Sequence, residues 1–378
     1  MGIKNLKYLI NKYANESINE KYLNFYENKI IAIDISIYLY RFIYKNGEPL
    51  ELLVQQCMRL LKNKIIPLYV FDGKPPKEKN DVLDERNEKK LDLFNKQSQI
   101  KNLLERKKDL NEDNEICNND EKINNIDDIF YNELIKMSND ELNTELQKIE
   151  KRIIIVNGTI IKKCKLLFQL MGIPYIVANG EAESLCAKLI KKNIVYGCLS
   201  EDTDILANGG RYFIRNFNVY NNKIIEYDLE KILEKFNMTY LEFMDMCILC
   251  GCDYTSTIKN IGVEKSYKFI KEYKTIEGVI DYINIENDKN VRKNKVPRYI
   301  VPANFDYITA RELFLNCGEN EDYDELKKLI KLDKPKLDEL IEYIKLIIKP
   351  HILNDVKKNL LKYYFTLTDN DLTIDNFF

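Results

Sequence analysis

Seven acidic residues stand at the ends of runs that read as buried elements: Asp34, Asp72, Glu181, Glu183, Asp202, Asp204 and Asp253. Carboxylates gathered in one place repel one another unless cations neutralise them, and hard oxygen donors select magnesium or manganese over zinc. Two such ions roughly 4 Å apart can activate a water and stabilise the leaving oxygen of an in-line phosphoryl displacement. The chemistry implied is metal-dependent phosphodiester hydrolysis without a covalent intermediate. A single acid is more often a helix cap or a solvated surface group. The coincidence of seven points the other way. His351 is the only histidine, which argues against a histidine-pair metal site and against histidine as the general base.

These acids need elements that bring them together. K-I-I-A-I-D at 29–34, I-I-P-L-Y-V-F-D at 65–72 and V-Y-G-C-L-S-E-D at 195–202 are apolar runs that each end in Asp. Such runs, separated by helical stretches, predict an α/β fold: a mixed, largely parallel central sheet flanked by helices. Parallel sheets of this kind bind ligands at the carboxyl ends of their strands, so the acids are expected on one edge. Asp202 and Asp204 are two apart, and in an extended stretch both side chains point to one side, where they can share a metal.

Five motifs occur in order: M-G-I-K-N-L at the start, F-D-G-K-P-P at 71–76, G-E-A-E at 180–183, S-E-D-T-D at 200–204 and G-C-D-Y at 251–254. With these residues the chain resembles the flap endonuclease family of structure-specific 5′ nucleases, nearly from end to end. The resemblance implies that Asp34, Asp72, Glu181 and Glu183 hold one Mg2+ and that Asp202, Asp204 and Asp253 serve a second, with Mn2+ able to substitute. It implies that Lys79 and Arg86 contact the scissile phosphate. Their spacing of seven places them near one face of a helix. It also implies that Tyr40 stacks on the nucleotide beside the cut. Without the family, Lys79 and Arg86 would read as a solvated helix face and Tyr40 as core.

The 378-residue chain has a formal net charge of −2, yet residues 109–150 hold thirteen acids against three lysines, −10, which leaves +8 for the rest. A basic body fits attraction to phosphates and predicts strong salt dependence. The stretch 111–128 is poor in large apolar residues and reads as a disordered insertion. In the family this region forms a helical arch and cap, so the acidic stretch is expected to loop away while the basic helix before it lines the pore. The organisation expected is a nuclease region over 1–94, an arch and cap over 95–158, a second nuclease region over 159–350 and a C-terminal segment over 351–378.

Beyond the last acid, the 239–254 stretch and E-K-S-Y-K-F-I-K-E-Y read as two helices joined by a turn. Backbone amides at the second helix's start, with Lys265 and Lys268 nearby, suit a phosphate. The resemblance makes this a helix-two-turn-helix that grips duplex DNA and holds K+ near Thr257, Ile258 and Gly262. Asn260 replaces the first glycine of the usual G-I-G, and asparagine tolerates the left-handed backbone such a turn requires. At the end of the chain, Ile374, Phe377 and Phe378 have the spacing of a sliding-clamp peptide, although Asp371 occupies the usual glutamine position.

Nine cysteines, an odd number in apolar contexts, read as reduced core residues in a reducing, intracellular compartment. Cys247, Cys250 and Cys252 lack the further ligand pair a tetrahedral zinc site needs. No apolar run is long enough to span a membrane, no secretory pattern opens the chain, and no nuclear import signal is seen. The function expected is cleavage of 5′-flap, nicked or gapped DNA by a monomer in replication and repair. A 5′ exonuclease or four-way-junction resolvase is the nearest alternative. A ribonuclease with a related core and a catalytically silent clamp-binding scaffold are the others.

Overall fold

Ile30, Ile31, Ala32 and Ile33 leave no polar position in their run, and the strand they form is buried at every residue. Burial on both faces is what a near-continuous apolar strand in a helix-covered sheet requires. In the computed structural model, which describes residues 2–44, 48–112, 128–153, 155–218, 221–293, 295–316 and 321–368, seven strands build one sheet. They are β1 (Ile18–Tyr22), β2 (Ile30–Asp34), β3 (Ile66–Phe71), β4 (Tyr175–Val177), β5 (Gly197–Leu199), β6 (Tyr212–Arg215) and β7 (Lys223–Asp228), in the order β1-β7-β6-β5-β2-β3-β4. The five strands from β6 to β4 pair in parallel, while β7 runs antiparallel to both β6 and β1. The mixed, largely parallel sheet expected from the apolar runs is therefore present, and β2 and β5 lie in its middle.

Two compact units divide the chain: 1–42 with 47–79 and 157–378, and 43–46 with 80–156. The first contains the sheet. It also contains the helix Pro350–Thr368, whose preceding Lys349 amide donates to buried Glu51 at 3.0 Å on the helix Pro49–Lys62. The second unit is helical: Asn80–Glu112, Asp128–Lys136 and Asn139–Arg152, closed around Ile100, Leu103, Leu134, Leu142 and Ile149. Ser138 and Glu141 form a capping box that starts its last helix.

The break between the units falls at 79/80 and 156/157, not at 94/95 and 158/159, because one uninterrupted helix begins at Asn80. Likewise, the second nuclease region and the C-terminal segment are not separate bodies; the helix from Pro350 packs into the first unit. Most of the acidic stretch, 113–127, and the clamp-like residues Ile374, Phe377 and Phe378 lie outside the described residues. Among the described residues no helix is long and apolar enough to cross a membrane, and seven cysteines, Cys247, Cys250 and Cys252 among them, are free and buried.

Candidate active site

Asp34 is the last residue of β2 and Asp72 the first after β3, so two neighbouring parallel strands deliver a carboxylate each to the same edge. The helix Ala182–Lys191 begins at that edge with Glu181 at its cap and Glu183 in its first turn, and its Ala182 amide donates to Asp72 at 2.9 Å. Three acids thus crowd one helix N-terminus, whose partial positive charge favours them. Gly73 makes the approach possible: a Cβ there would lie 1.9 Å from the Ala178 carbonyl oxygen, and its amide donates to Gly180 at 2.7 Å.

Asp202 and Asp204 arrive differently from the extended pair expected. Strand β5 ends at Leu199, Thr203 is already helical, and Asp204 opens the short helix Asp204–Ala207. The Asp204 amide donates to Asp202 Oδ1 at 3.1 Å, so a turn, not strand alternation, sets the pair. The N-terminus closes over this turn: Gly2 has φ +80°, and a Cβ there would lie 2.0 Å from Asp202 Oδ1. The M-G opening is accordingly structural, since only glycine fits.

Burial and neighbouring carboxylates act on the buried acids of this edge together. Burial pushes Asp34 up to about 8, with Asp72 and Asp202 adding to the rise. Burial likewise raises Glu183, helped by Glu181. Burial, Asp202 and Asp253 raise Asp204 well above the carboxylate range, and burial raises Asp202. Hydroxyls moderate this repulsion. Ser200 donates to Asp34 at 3.1 Å, Ser36 donates to Asp72, and Tyr254 donates to Glu181 at 2.6 Å.

Among the described residues, Lys79 brings a positive charge into the cluster. Its ammonium bonds Glu181 and lies 3.4 Å from Asp253 and 3.7 Å from Glu183. Burial pulls this ammonium down, but Glu183 and Glu181 more than offset it and hold it above its ordinary value. Lys79 ends the 3₁₀ turn Lys77–Lys79, before the long helix begins, so the one-face argument linking it to Arg86 does not hold. Arg86 is exposed on that helix, in the other unit. Tyr40, on the helix Ile35–Tyr44 that follows Asp34 directly, is 38% exposed. It is not core.

Among the described residues no three acids or thiols already surround one point as a metal cage. The donor set nevertheless suits hard divalent ions. It consists of carboxylates, five of them buried, whose mutual repulsion calls for cations, and Asp204 Oδ1 is buried without a hydrogen-bond partner.

Past the cluster, Tyr240–Cys250 and Val263–Tyr273 are the two helices read from the sequence, and Gly262 caps the second. Thr257 and buried Ile258 lie in the connection. Asn260 has φ +69°, the left-handed geometry that the missing glycine would have supplied, and its side-chain amide donates to the Arg298 carbonyl at 2.7 Å. Ser36, Ser200 and Tyr254 were missed as site residues. Ser200 and Tyr254 sit inside the quoted S-E-D-T-D and G-C-D-Y motifs, and Ser36 follows Asp34 by two.

This sheet, with its acidic edge built from the two halves of the chain, is of the XPG type: the XPG N-terminal domain matches residues 1–93 and the XPG I-region residues 172–253. Flap endonuclease 1 of Entamoeba dispar is 33% identical over 359 residues, covering 90% of this chain and 81% of that protein. Flap endonuclease 1 of Plasmodium knowlesi is 32% identical over 417 residues, and the chain spans only 60% of its length. The catalytic core of Rad2 in complex with DNA substrate shares the fold, with a TM-score of 0.62 at 24% identity, over 91% of this chain and 94% of that one. The chain belongs to the flap endonuclease family.

Proposed function

We propose that the protein is a structure-specific 5′ nuclease that hydrolyses one DNA phosphodiester bond near a single-strand to double-strand junction, with a role in replication and repair. The observation that carries this reading is the convergence of carboxylates at the carboxyl edge of the sheet, where burial and neighbouring acids raise Asp34, Glu183 and Asp204. Family membership and the Rad2 core, which was solved with DNA, support it.

Asp34, Asp72, Glu181 and Glu183 would hold one Mg2+ or Mn2+, and Asp202, Asp204 and Asp253 the other. When bound, such ions supply Lewis-acid activation of water and stabilisation of the leaving oxygen. The chain's own groups do the rest. Ser36 and Ser200 fix the rotamers of Asp72 and Asp34, and Tyr254 fixes Glu181. Lys79 holds the carboxylates together and can turn its ammonium from them to a phosphate, a charge-assisted contact of the same kind. Arg86 would add a second phosphate contact and Tyr40 an aromatic face for a base. The helix pair with Thr257, Ile258 and Gly262 would grip the duplex around K+, and Ile374, Phe377 and Phe378 would bind a sliding clamp.

The deciding experiment compares the wild type with Asp202→Ala on labelled 5′-flap, nicked, blunt and four-way-junction DNA, in Mg2+ and in EDTA. Metal-dependent cleavage near the flap junction, lost in the variant, is the expected result. Preference for nicked or four-way DNA would favour the exonuclease or resolvase reading. No cleavage by folded protein would sink the enzymatic reading.

A further inference from the structure

Arg292, Lys293, Lys295 and Arg298 fall within seven residues, and no acid interrupts them. All four are exposed, and among the described residues none of them forms an ion pair. They stand at and after the end of the helix Ile276–Arg292, and hydrogen bonds pin the segment from two sides. On one side, Asn287 of that helix accepts from the Arg298 and Tyr299 amides at 2.9 and 3.1 Å and donates to the Tyr299 carbonyl at 2.8 Å. On the other, the turn between Tyr240–Cys250 and Val263–Tyr273 reaches it: the Lys259 amide donates to the Ile300 carbonyl at 3.0 Å, and the Asn260 side chain to the Arg298 carbonyl.

The Tyr299 ring anchors this arrangement. It is buried, meeting Phe269 edge-on at 6.0 Å and Tyr282 at 6.4 Å. Lys265, in the first turn of Val263–Tyr273, and Arg298 lie over that ring at 5.1 and 5.5 Å. The Lys265 ammonium also donates to the Asn260 carbonyl at 2.6 Å, so direct contacts join Arg298, Asn260 and Lys265. Acids lie close by as well. Glu286 accepts from Lys289 at 2.8 Å, and that bond, with lesser pulls from Arg298 and Lys293, holds its carboxyl below the usual range. Glu264 is taken by Lys12 and by Tyr13 at 2.8 Å, and Glu272 bonds Tyr273. From 286 to 298 five cations stand against two acids, Glu286 and Asp288, so the stretch keeps a charge of +3.

We propose that Lys293, Lys295 and Arg298 bind backbone phosphates of duplex DNA beside those held by the helix pair, so that the segment after Arg292 widens the duplex-binding face. The proposal rests on the nuclease reading for its choice of partner. Phosphate contacts from exposed cations supply affinity and fix register without reading sequence, which suits an enzyme that recognises structure. A grip on single-stranded DNA would need exposed aromatic faces on which bases stack. Tyr299, the aromatic residue among these cations, is buried and offers none.

The test uses the full chain with Arg298→Ala, Arg298→Lys and a triple variant carrying Lys293→Ala, Lys295→Ala and Arg298→Ala. Binding to 5′-flap DNA and to blunt duplex is measured in EDTA across a salt series, and flap cleavage is measured in Mg2+. Arg298→Ala should lower the steepness of log K against log salt by about 0.9, one phosphate contact, and the triple variant by about 2.7. Both losses should appear on flap and duplex alike, with a raised KM for the flap, and Arg298→Lys should restore the slope. An unchanged slope in the triple variant would overturn the proposal. So would a loss seen on the flap and absent on the duplex, which would give the segment to the single strand. Should the wild type cleave nothing, the nuclease reading falls and the binding arm still decides: a duplex slope that depends on these cations sustains the surface, and one that does not removes it.

Discussion

Lys79 sits where the acidic cluster most needs a positive charge. Its ammonium is enclosed by Glu181, Glu183 and Asp253. Removing one partner of a buried charge group costs about 3–5 kcal/mol because the remaining charge is left without compensation. Lys79→Ala should therefore destabilise the protein by about 3 kcal/mol in EDTA, read by urea unfolding, and Mg2+ should recover much of that loss. A penalty equal with and without metal would mean that the ammonium and the ions do not share the carboxylates. The acids themselves were legible from the residues, because Asp34 and Asp72 end apolar runs. The role of Lys79 inside the cluster was not, since nothing in K-P-P-K-E-K reports that the chain turns at Lys79 before the helix starts at Asn80.

At the level of elements, the local conformation of single residues decides whether motifs meet. Asn260 occupies the left-handed region at φ +69° in the turn between the two DNA-gripping helices of the proposal. Asn260→Gly should keep that turn, whereas Asn260→Val should cost roughly 1–2 kcal/mol, the penalty of left-handed backbone for a branched residue. Thermal unfolding of the two variants separates them; equal melting points would show that the turn does not need this geometry. The tolerance of Asn here was readable in advance, and so was the sheet, because runs such as 29–34 and 65–72 admit little except a doubly covered strand. The Asp202–Asp204 pair was misread locally. A spacing of two fits a strand, but β5 stops at Leu199 and the chain turns at once, a decision made by packing against Gly2 and Ile3. Hydroxyl partners such as Ser200 and Tyr254 could not be assigned a job before the strands that deliver their acceptors were placed.

For the whole molecule, the repulsion stored in the acidic edge should make stability depend on pH in an unusual direction. Unfolded, Asp34 releases its proton in the ordinary carboxyl range; folded, it keeps it up to about 8. Between those values the native state binds more protons, so without metal the protein is most stable in acid and loses stability as pH rises toward 8. Glu183 and Asp204 are shifted in the same direction. Melting temperature in EDTA should fall from pH 5 to pH 8, and the stabilisation conferred by Mg2+ should grow over the same interval. A metal-free melting temperature that rose with pH would contradict the coupled cluster.

The chain leaves the sheet-bearing unit after Lys79 and re-enters it at Asn157, yet β3 and β4, on either side of that excursion, lie next to each other in parallel register. Closing a loop costs free energy only as the logarithm of its length, about 0.6 kcal/mol for each doubling. The excursion can therefore lengthen, shorten or change composition over generations while the strands around Asp34 and Asp72 keep their alignment. In evolutionary terms the helical unit is an exchangeable cassette, free to acquire an acidic stretch like 109–150 at little expense to the architecture that carries the carboxylates.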